Sequence, residues 1–315
     1  MAIDQTVRVD KFKGLNNRID PTRLGLEWQL EAKNILCDDA GYLIRRPGVE
    51  NFLSGFKDIY ATRNGRLLAI TITDELVEIN AVGDIIPLFV GITGGPFQWA
   101  ELGYAFFLQS KFNSWAIYPH TAIVWGSLCP AVVIDNYPLG DPISYPPPVG
   151  DVICARRSQM MVGVWEPERD RSVLYFSRPD FPHEFRLEKD FLLIAGQITL
   201  LAALPQGLVI GTSTAIYVDP IDSPIQRVAD YGVPAGAIAH NDLSQIYFWS
   251  ERGLCKAWPF VNMTDAALVV QQRLQVAAGV FPYQGSSYAV VNQTGSLITK
   301  QLTQSFVSYD LTQGV

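Results

Sequence analysis

Charge is what this sequence has least of. Only 17% of its 315 residues are Asp, Glu, Lys or Arg, against about 25% in ordinary soluble domains. Disordered chains need the opposite balance of many charges and few apolar residues, and 48% of this chain is hydrophobic, so disorder is excluded. Long apolar runs are missing as well. A spanning helix needs about 20 nearly uninterrupted apolar residues, and the best stretch, Leu192 to Leu204, is shorter and broken by Gly196, Gln197 and Thr199. The first residues, MAIDQTVRVDKFKG, have no apolar core of a secretion signal. Neither a membrane anchor nor export is expected, so the apolar surplus has to be hidden in core or against other protein subunits.

Metal-binding and nucleophilic residues are equally sparse. Cys37, Cys129, Cys154 and Cys255 are far apart with no C-x-x-C pair, and His120, His183 and His240 lie in separate segments. A structural zinc site is therefore not expected, and four reduced, mostly buried thiols fit a chain without a secretion signal. His183 sits in Pro-His-Glu, where it could sense charge, although a lone histidine is more often structural. No G-x-S-x-G, H-E-x-x-H, G-x-x-x-x-G-K-[ST] or helix-opening G-x-G-x-x-G occurs. Acidic residues in loops (Asp170, Asp180, Glu184, Asp219, Asp222 and Asp230) could hide the carboxylate pair of a glycosidase, but solvated turn formers are the simpler account. Asp38-Asp39-Ala-Gly41 and Asp219-Pro-Ile-Asp222 lack the alternating ligands of a calcium loop. No cofactor, metal or catalytic residue is assigned, and no enzyme is expected.

Positive charge is short too. The net charge is −7, with small basic clusters only at Arg45-Arg46 and Arg156-Arg157. Stable, sequence-specific DNA binding needs clustered cations. An acidic wall would instead repel phosphates and let the polymer slide past.

What is present is a repeated β grammar. Residues 1–50 form a distinct leader with eight basic and eight acidic residues, so residues 51–315 carry the whole −7. Within the leader, the apolar residues between Leu26 and Leu36 suit a short amphipathic helix, and Asp38-Asp-Ala-Gly41 ends it and starts a hairpin. Beyond residue 50, short apolar runs alternate with glycine-containing turns, and unit starts fall near 57, 97, 152, 198, 237 and 276. The intervals are 40, 55, 46, 39 and 39 residues, close to the roughly 40–50 of propeller blades. The expected fold is all-β: a β-propeller of about six blades with a short N-terminal leader containing a small helix, a pair of β-sandwiches being the competitor. The seven tryptophans, spread over most units, read as core or inter-blade packing rather than a sugar platform. Two segments depart from the cadence. Tyr137 to Val149 is too proline-rich for a paired strand and should run extended as a surface crossing or contact arm, and Asp265 to Leu274 suits a short helix inserted between blades.

The stretches Phe12-Lys-Gly-Leu-Asn-Asn-Arg-Ile-Asp-Pro21, Glu31-Ala-Lys-Asn34, Asp38-Asp-Ala-Gly-Tyr-Leu43 and Arg45-Arg-Pro-Gly48 resemble the opening of phage tail structural proteins of the nozzle and packaged-DNA stabilisation type, in which such a leader precedes a β-propeller. Val173 to Phe185 and Gln245 to Leu254 are similar to internal segments of that family. The resemblance implies a virion structural protein of the tail, made in the host cytoplasm. Its subunits would form a homo-oligomeric ring that retains packaged DNA and conducts it at ejection. The implied partners are adaptor, portal-side and tail-fibre proteins, with DNA passing through the lumen and no membrane. Arg18, Arg23, Glu31, Arg45, Arg46 and Tyr145 are the candidate subunit contacts. A host-surface or carbohydrate-binding tail module is the first alternative, which exposed aromatics beside acidic residues on one propeller face would favour. A polysaccharide-acting propeller enzyme is the second.

Overall fold

The structure, a computed structural model, describes residues 18–26, 54–129 and 144–264 apart from short gaps at turns. Of the leader strands at 14–15, 28–29, 35–37 and 43–45 and of the strands between 277 and 310 it describes the backbone. Six larger sheets, five of four strands and one of five, follow one another along the chain, and in each the first four strands pair in sequence order. Blade 1 consists of Phe56–Ala61, Leu67–Thr71, Glu75–Ile79 and Ile85–Val90; blade 2 of Gln98–Leu102, Ala105–Gln109, Ser114–Tyr118 and Thr121–Val124. Blade 3 has Val152–Arg156, Gln159–Glu166, Arg171–Arg178 and Phe181–Phe185, plus a fifth strand, Phe191–Ala195. Blade 4 comprises Ile198–Leu204, Gly207–Thr212, Ile216–Pro220 and Gln226–Ala229. Blades 5 and 6 begin at Ile238–Asn241 and Ala277–Tyr283 and end at Val261–Asn262 and Phe306–Asp310. The fold is a β-propeller of six blades, antiparallel sheets of four strands, or five in blade 3, repeated in series.

The chain divides into two compact units, residues 51–226 and residues 1–50 with 227–315. Within each, the first strands of consecutive blades lie side by side: Gln98–Leu102 with Val152–Arg156 and then Ile198–Leu204 in one, Ile238–Asn241 with Ala277–Tyr283 in the other.

Packing explains both the strand sequences and the shortage of charge. In a strand, successive side chains point to opposite faces. In Ala105–Gln109, Phe106 and Leu108 pack on Leu68, Ile70 and Leu76 of blade 1, while Ala105 and Phe107 pack on Ile153, Met160 and Val162 of blade 3. Blade 3 repeats the device, Met161 and Leu174 meeting Leu208 and Ile210 of blade 4. Middle strands with both faces covered read as continuous apolar runs, and every residue of Ala105–Gln109 and Gly207–Thr212 is buried. The outermost strands differ. Ile85, Ile86 and Val90 at the free edge of blade 1 are 51%, 46% and 66% exposed, and Phe191 and Leu193 are exposed in blade 3.

The leader corrects one expectation. No helix spans Leu26 to Leu36: Trp28–Gln29 pairs in parallel with Gly14–Leu15, and Ile35–Cys37 pairs antiparallel with Leu43–Arg45. A short apolar run satisfies helical and strand spacing alike, and here the antiparallel pairing of Ile35–Cys37 with Leu43–Arg45 decides for strand. Ahead of that span stands a 3-10 turn, Pro21–Arg23, capped by Asp20, whose carboxylate accepts the Thr22 amide N–H at 2.8 Å. The leader strands Gly14–Leu15 and Ile35–Cys37 lie beside Phe306–Asp310, the last strand of blade 6. The helix expected at Asp265 to Leu274 lies outside the described residues.

Candidate functional site

In an antiparallel meander, the turn joining the first two strands and the turn joining the last two lie at the same end. At that end, blades 2 and 3 enclose an open cleft of about 570 Å³. Its walls are Leu102, Gly103, Ala105 and Tyr118 of blade 2, Arg157 and Ser158 in the first turn of blade 3, the hairpin from Asp180 to Glu184, and Leu128.

The hairpin reaches blade 2 because it leaves its own sheet. The pairing of Arg171–Arg178 with Phe181–Phe185 shifts register between Ser177 and Arg178, and Phe191–Ala195 takes over the vacated edge opposite Arg171 to Tyr175. The freed hairpin is pinned by apolar and polar anchors together. Phe185 is fully buried against Trp125, with ring centroids 5.9 Å apart, and the Trp125 indole N–H donates to the Pro182 carbonyl at 2.9 Å. Tyr145 and Phe185 exchange backbone hydrogen bonds of 2.7 and 2.8 Å, which fixes the end of the proline-rich crossing. That crossing also requires glycine at 126, where φ is +94° and a Cβ would come within 2.5 Å of Pro147 Cδ.

His183, 8% exposed, forms the cleft floor. The Gly126 N–H donates to its Nδ1 at 3.1 Å. Nδ1 is thus an acceptor, the ring proton sits on Nε2, and Nε2–H donates to the Tyr118 hydroxyl at 2.9 Å. Burial pushes the His183 pKa down, and the nearby Glu184 charge only partly opposes it, so the neutral ring is the form this floor holds. Glu184 is itself buried and ion-paired to Arg178 at 2.5 Å, with the Ser144 hydroxyl donating at 3.4 Å. Burial and the Glu184 charge together push the Cys129 thiol up. At the lip stand Arg157, Asp180 and Phe181, all exposed.

The sequence's acidic loop residues thus separate. Asp180 and Glu184 meet at the cleft, whereas Asp219 pairs with Arg156 at 3.1 Å and Asp230 with Arg227 at 2.8 Å. Asp170 stands in the turn after Pro167–Arg169 with φ +47°, and Asp222 lies outside the described residues. A second polar cluster joins the first strands of blades 1 and 2. Tyr60 stacks on Trp99 at 5.2 Å, Trp99 N–H donates to Asp58 at 2.8 Å, and Tyr60 O–H donates to Glu101 at 2.9 Å. Burial raises the Asp58 pKa. Each carboxylate there is engaged by an aromatic donor.

No protein-family model matches the sequence, and comparison with curated proteins finds no match. Similar solved structures include YCF48 bound to D1 peptide (9% identity over 78% of this chain and 77% of that chain, TM-score 0.42), the AfRom2 CNH domain (8%, 80% and 83%, 0.47) and Kluyvelomyces marxianus Hsv2 (11%, 78% and 79%, 0.44). YCF48 and Hsv2 are β-propellers. The order and pairing of the strands define this chain's fold class independently of these overlaps.

Of the candidate contact residues, Arg18 and Arg23 are exposed around the Pro21–Arg23 turn. Arg45 ends the strand Leu43–Arg45, its side chain outside the described residues, as are Glu31 and Arg46. Tyr145 is half-buried, its backbone used within blade 3. The structure does not gather them at one place. Among the described residues no group of three metal-ligating side chains converges, and no helix is long and apolar enough to cross a membrane. Trp115, Trp125 and Trp249 are buried in the core. Tyr118 and Phe181 are not among the residues singled out by sequence, and Arg157 enters there only as half of the small basic pair Arg156-Arg157. The signal that could have found them is the pair of long intervals, 55 and 46 residues, flanking the unit start near 152.

Proposed function

We propose that the chain is a virion structural protein: a subunit of a ring in a phage tail that retains packaged DNA and conducts it at ejection. Its role is mechanical rather than catalytic. The observation that carries the reading is apolar surface on blade edges of a charge-poor body. Ile85, Ile86 and Val90 of blade 1 and Phe191 and Leu193 of blade 3 stand exposed, as subunit or tail-protein contacts would. The leader motifs supply the family, and the −7 carried by residues 51–315 suits a wall past which DNA slides. Adaptor, portal-side and fibre proteins are the partners in this reading, and the tail is the location. The test is assembly. Sedimentation of the purified protein should show a closed oligomer, and particles lacking it should lose DNA or stall before tail completion. A protein that stays monomeric at high concentration, together with mutant particles that keep their DNA and build full tails, would overturn the proposal.

A further inference from the structure

We propose that the cleft between blades 2 and 3 binds a carboxylate-bearing saccharide, its carboxylate on Arg157, its hydroxyls on Asp180 and its ring face on Phe181. Arg157 is the first argument. The neighbouring arginines of this blade each have a carboxylate: Arg156 has Asp219, Arg171 has Glu166, Arg178 has Glu184 and Arg186 has Asp190. Among the described residues Arg157 has no ion pair, and it stands exposed at the cleft lip. Its backbone adopts φ +56°, a left-handed conformation that is free for glycine and costs a side-chain-bearing residue stability. The turn therefore spends stability to present a guanidinium, whose planar fork of donors matches a carboxylate.

The second argument is preorganisation. The Asp180 N–H donates to the Ser158 carbonyl at 2.9 Å, zipping the turn that bears Arg157 to the hairpin that bears Asp180 and Phe181. Phe181 is 48% exposed, and the Arg178 guanidinium lies over its ring, Cζ 4.8 Å from the centroid. Arg178 is in turn held by Glu184. Cation, carboxylate and aromatic surface are thus mounted on a braced lip, which lowers the ordering cost of binding. The volume of about 570 Å³ falls within the range of small-molecule sites.

These three groups narrow the occupant. With Glu184 paired to Arg178, the lip offers one unpaired cation beside one carboxylate, so phosphate dianions and multiply charged acidic peptides would meet more repulsion from Asp180 than a ligand with a single negative charge. A neutral sugar would leave the arginine unused, and a free amino acid such as glutamate has no ring face of C–H groups to lay on Phe181. A pyranose with a carboxylate offers an apolar C–H face, hydroxyl donors for Asp180 and one anion for Arg157.

The experiment titrates the purified protein with methyl glucuronide and methyl galacturonide, with the corresponding neutral methyl glycosides and with glutamate. The readouts are ligand-observed NMR and the intrinsic tryptophan fluorescence, to which Trp125 beneath the cleft contributes. The acidic glycosides should saturate at millimolar concentration or below and bind at least about tenfold tighter than the neutral ones. Arg157→Gly should keep the melting temperature at or above that of the parent while removing the preference for the acidic sugars. Phe181→Ala should weaken both classes. Equal binding of acidic and neutral glycosides, tighter binding of glutamate, or no saturation by either acidic glycoside would overturn the proposal. The readout is independent of whether the chain forms a ring.

Discussion

Blades 3 and 4 are neighbours built on the same plan, yet blade 3 departs from it with a hairpin that lines a cleft at its end. Blade 4, from Ile198 to Ala229, is four strands joined by short turns, and its second strand is buried along its whole length. Blade 3, from Val152 to Ala195, inserts a hairpin that breaks register at Ser177, leaves the sheet and docks on blade 2, while a fifth strand repairs the edge. The regular blade draws its cohesion from side chains shared with its neighbour along every strand. The decorated hairpin depends on a few anchors, namely Phe185, His183 and the indole of Trp125. Structural frame and candidate site are thus different parts of the chain, and they should respond differently to substitution.

The largest effect is expected at the apolar anchor. Phe185→Ala should cost about 3–5 kcal/mol in urea denaturation, with accelerated hydrogen exchange at the Tyr145 amide that pairs with residue 185. A mutant retaining full protection at Tyr145 would show that the hairpin has other moorings.

A smaller loss should follow at the polar anchor. His183→Leu leaves the buried Gly126 N–H without its acceptor, at about 1–3 kcal/mol. It should also change the pH dependence. The fold holds His183 neutral with a lowered pKa, so this contribution to stability is full above the unfolded histidine value of about 6.5 and is lost as pH falls below it. Melting temperatures across the weakly acidic range should fall in the parent, and that component should be missing from the variant. Parallel curves would sever the ring from the pH response.

The smallest effect tests the regular blade. Ile210→Val, in the buried strand of blade 4, should cost about 0.5–1.5 kcal/mol in thermal melts and leave the emission of Trp125 unchanged. A change in that emission would mean that frame and cleft are coupled through blade 3.

The blade frame was readable because its cause is local. Turn residues and apolar runs place unit starts near 57, 97, 152, 198, 237 and 276, and the first strands begin at Phe56, Gln98, Val152, Ile198, Ile238 and Ala277. The cleft was not readable because Tyr118, Arg157 and His183 come from three separate hairpins whose approach depends on a register break and a docked turn. Asp180 and Glu184 appeared only among six acidic loop residues, and their common destination has no signature in spacing. The leader failed for another reason. Leu26 to Leu36 satisfies helical periodicity, but the pairing of Ile35–Cys37 with Leu43–Arg45 overrides it.

The exposed edge of blade 1 has a consequence for the protein's behaviour in concentrated solution. Ile-Ile-Pro-Leu-Phe-Val, residues 85–90, would without its proline be a flat apolar strand of the kind that recruits further chains into fibrils. Pro87 has no amide hydrogen to offer an incoming strand, and the register shift between Leu76 and Val77 on the partner strand bends the ladder beside it. One residue and one irregularity thus leave an apolar edge exposed while making it a poor template for strand addition.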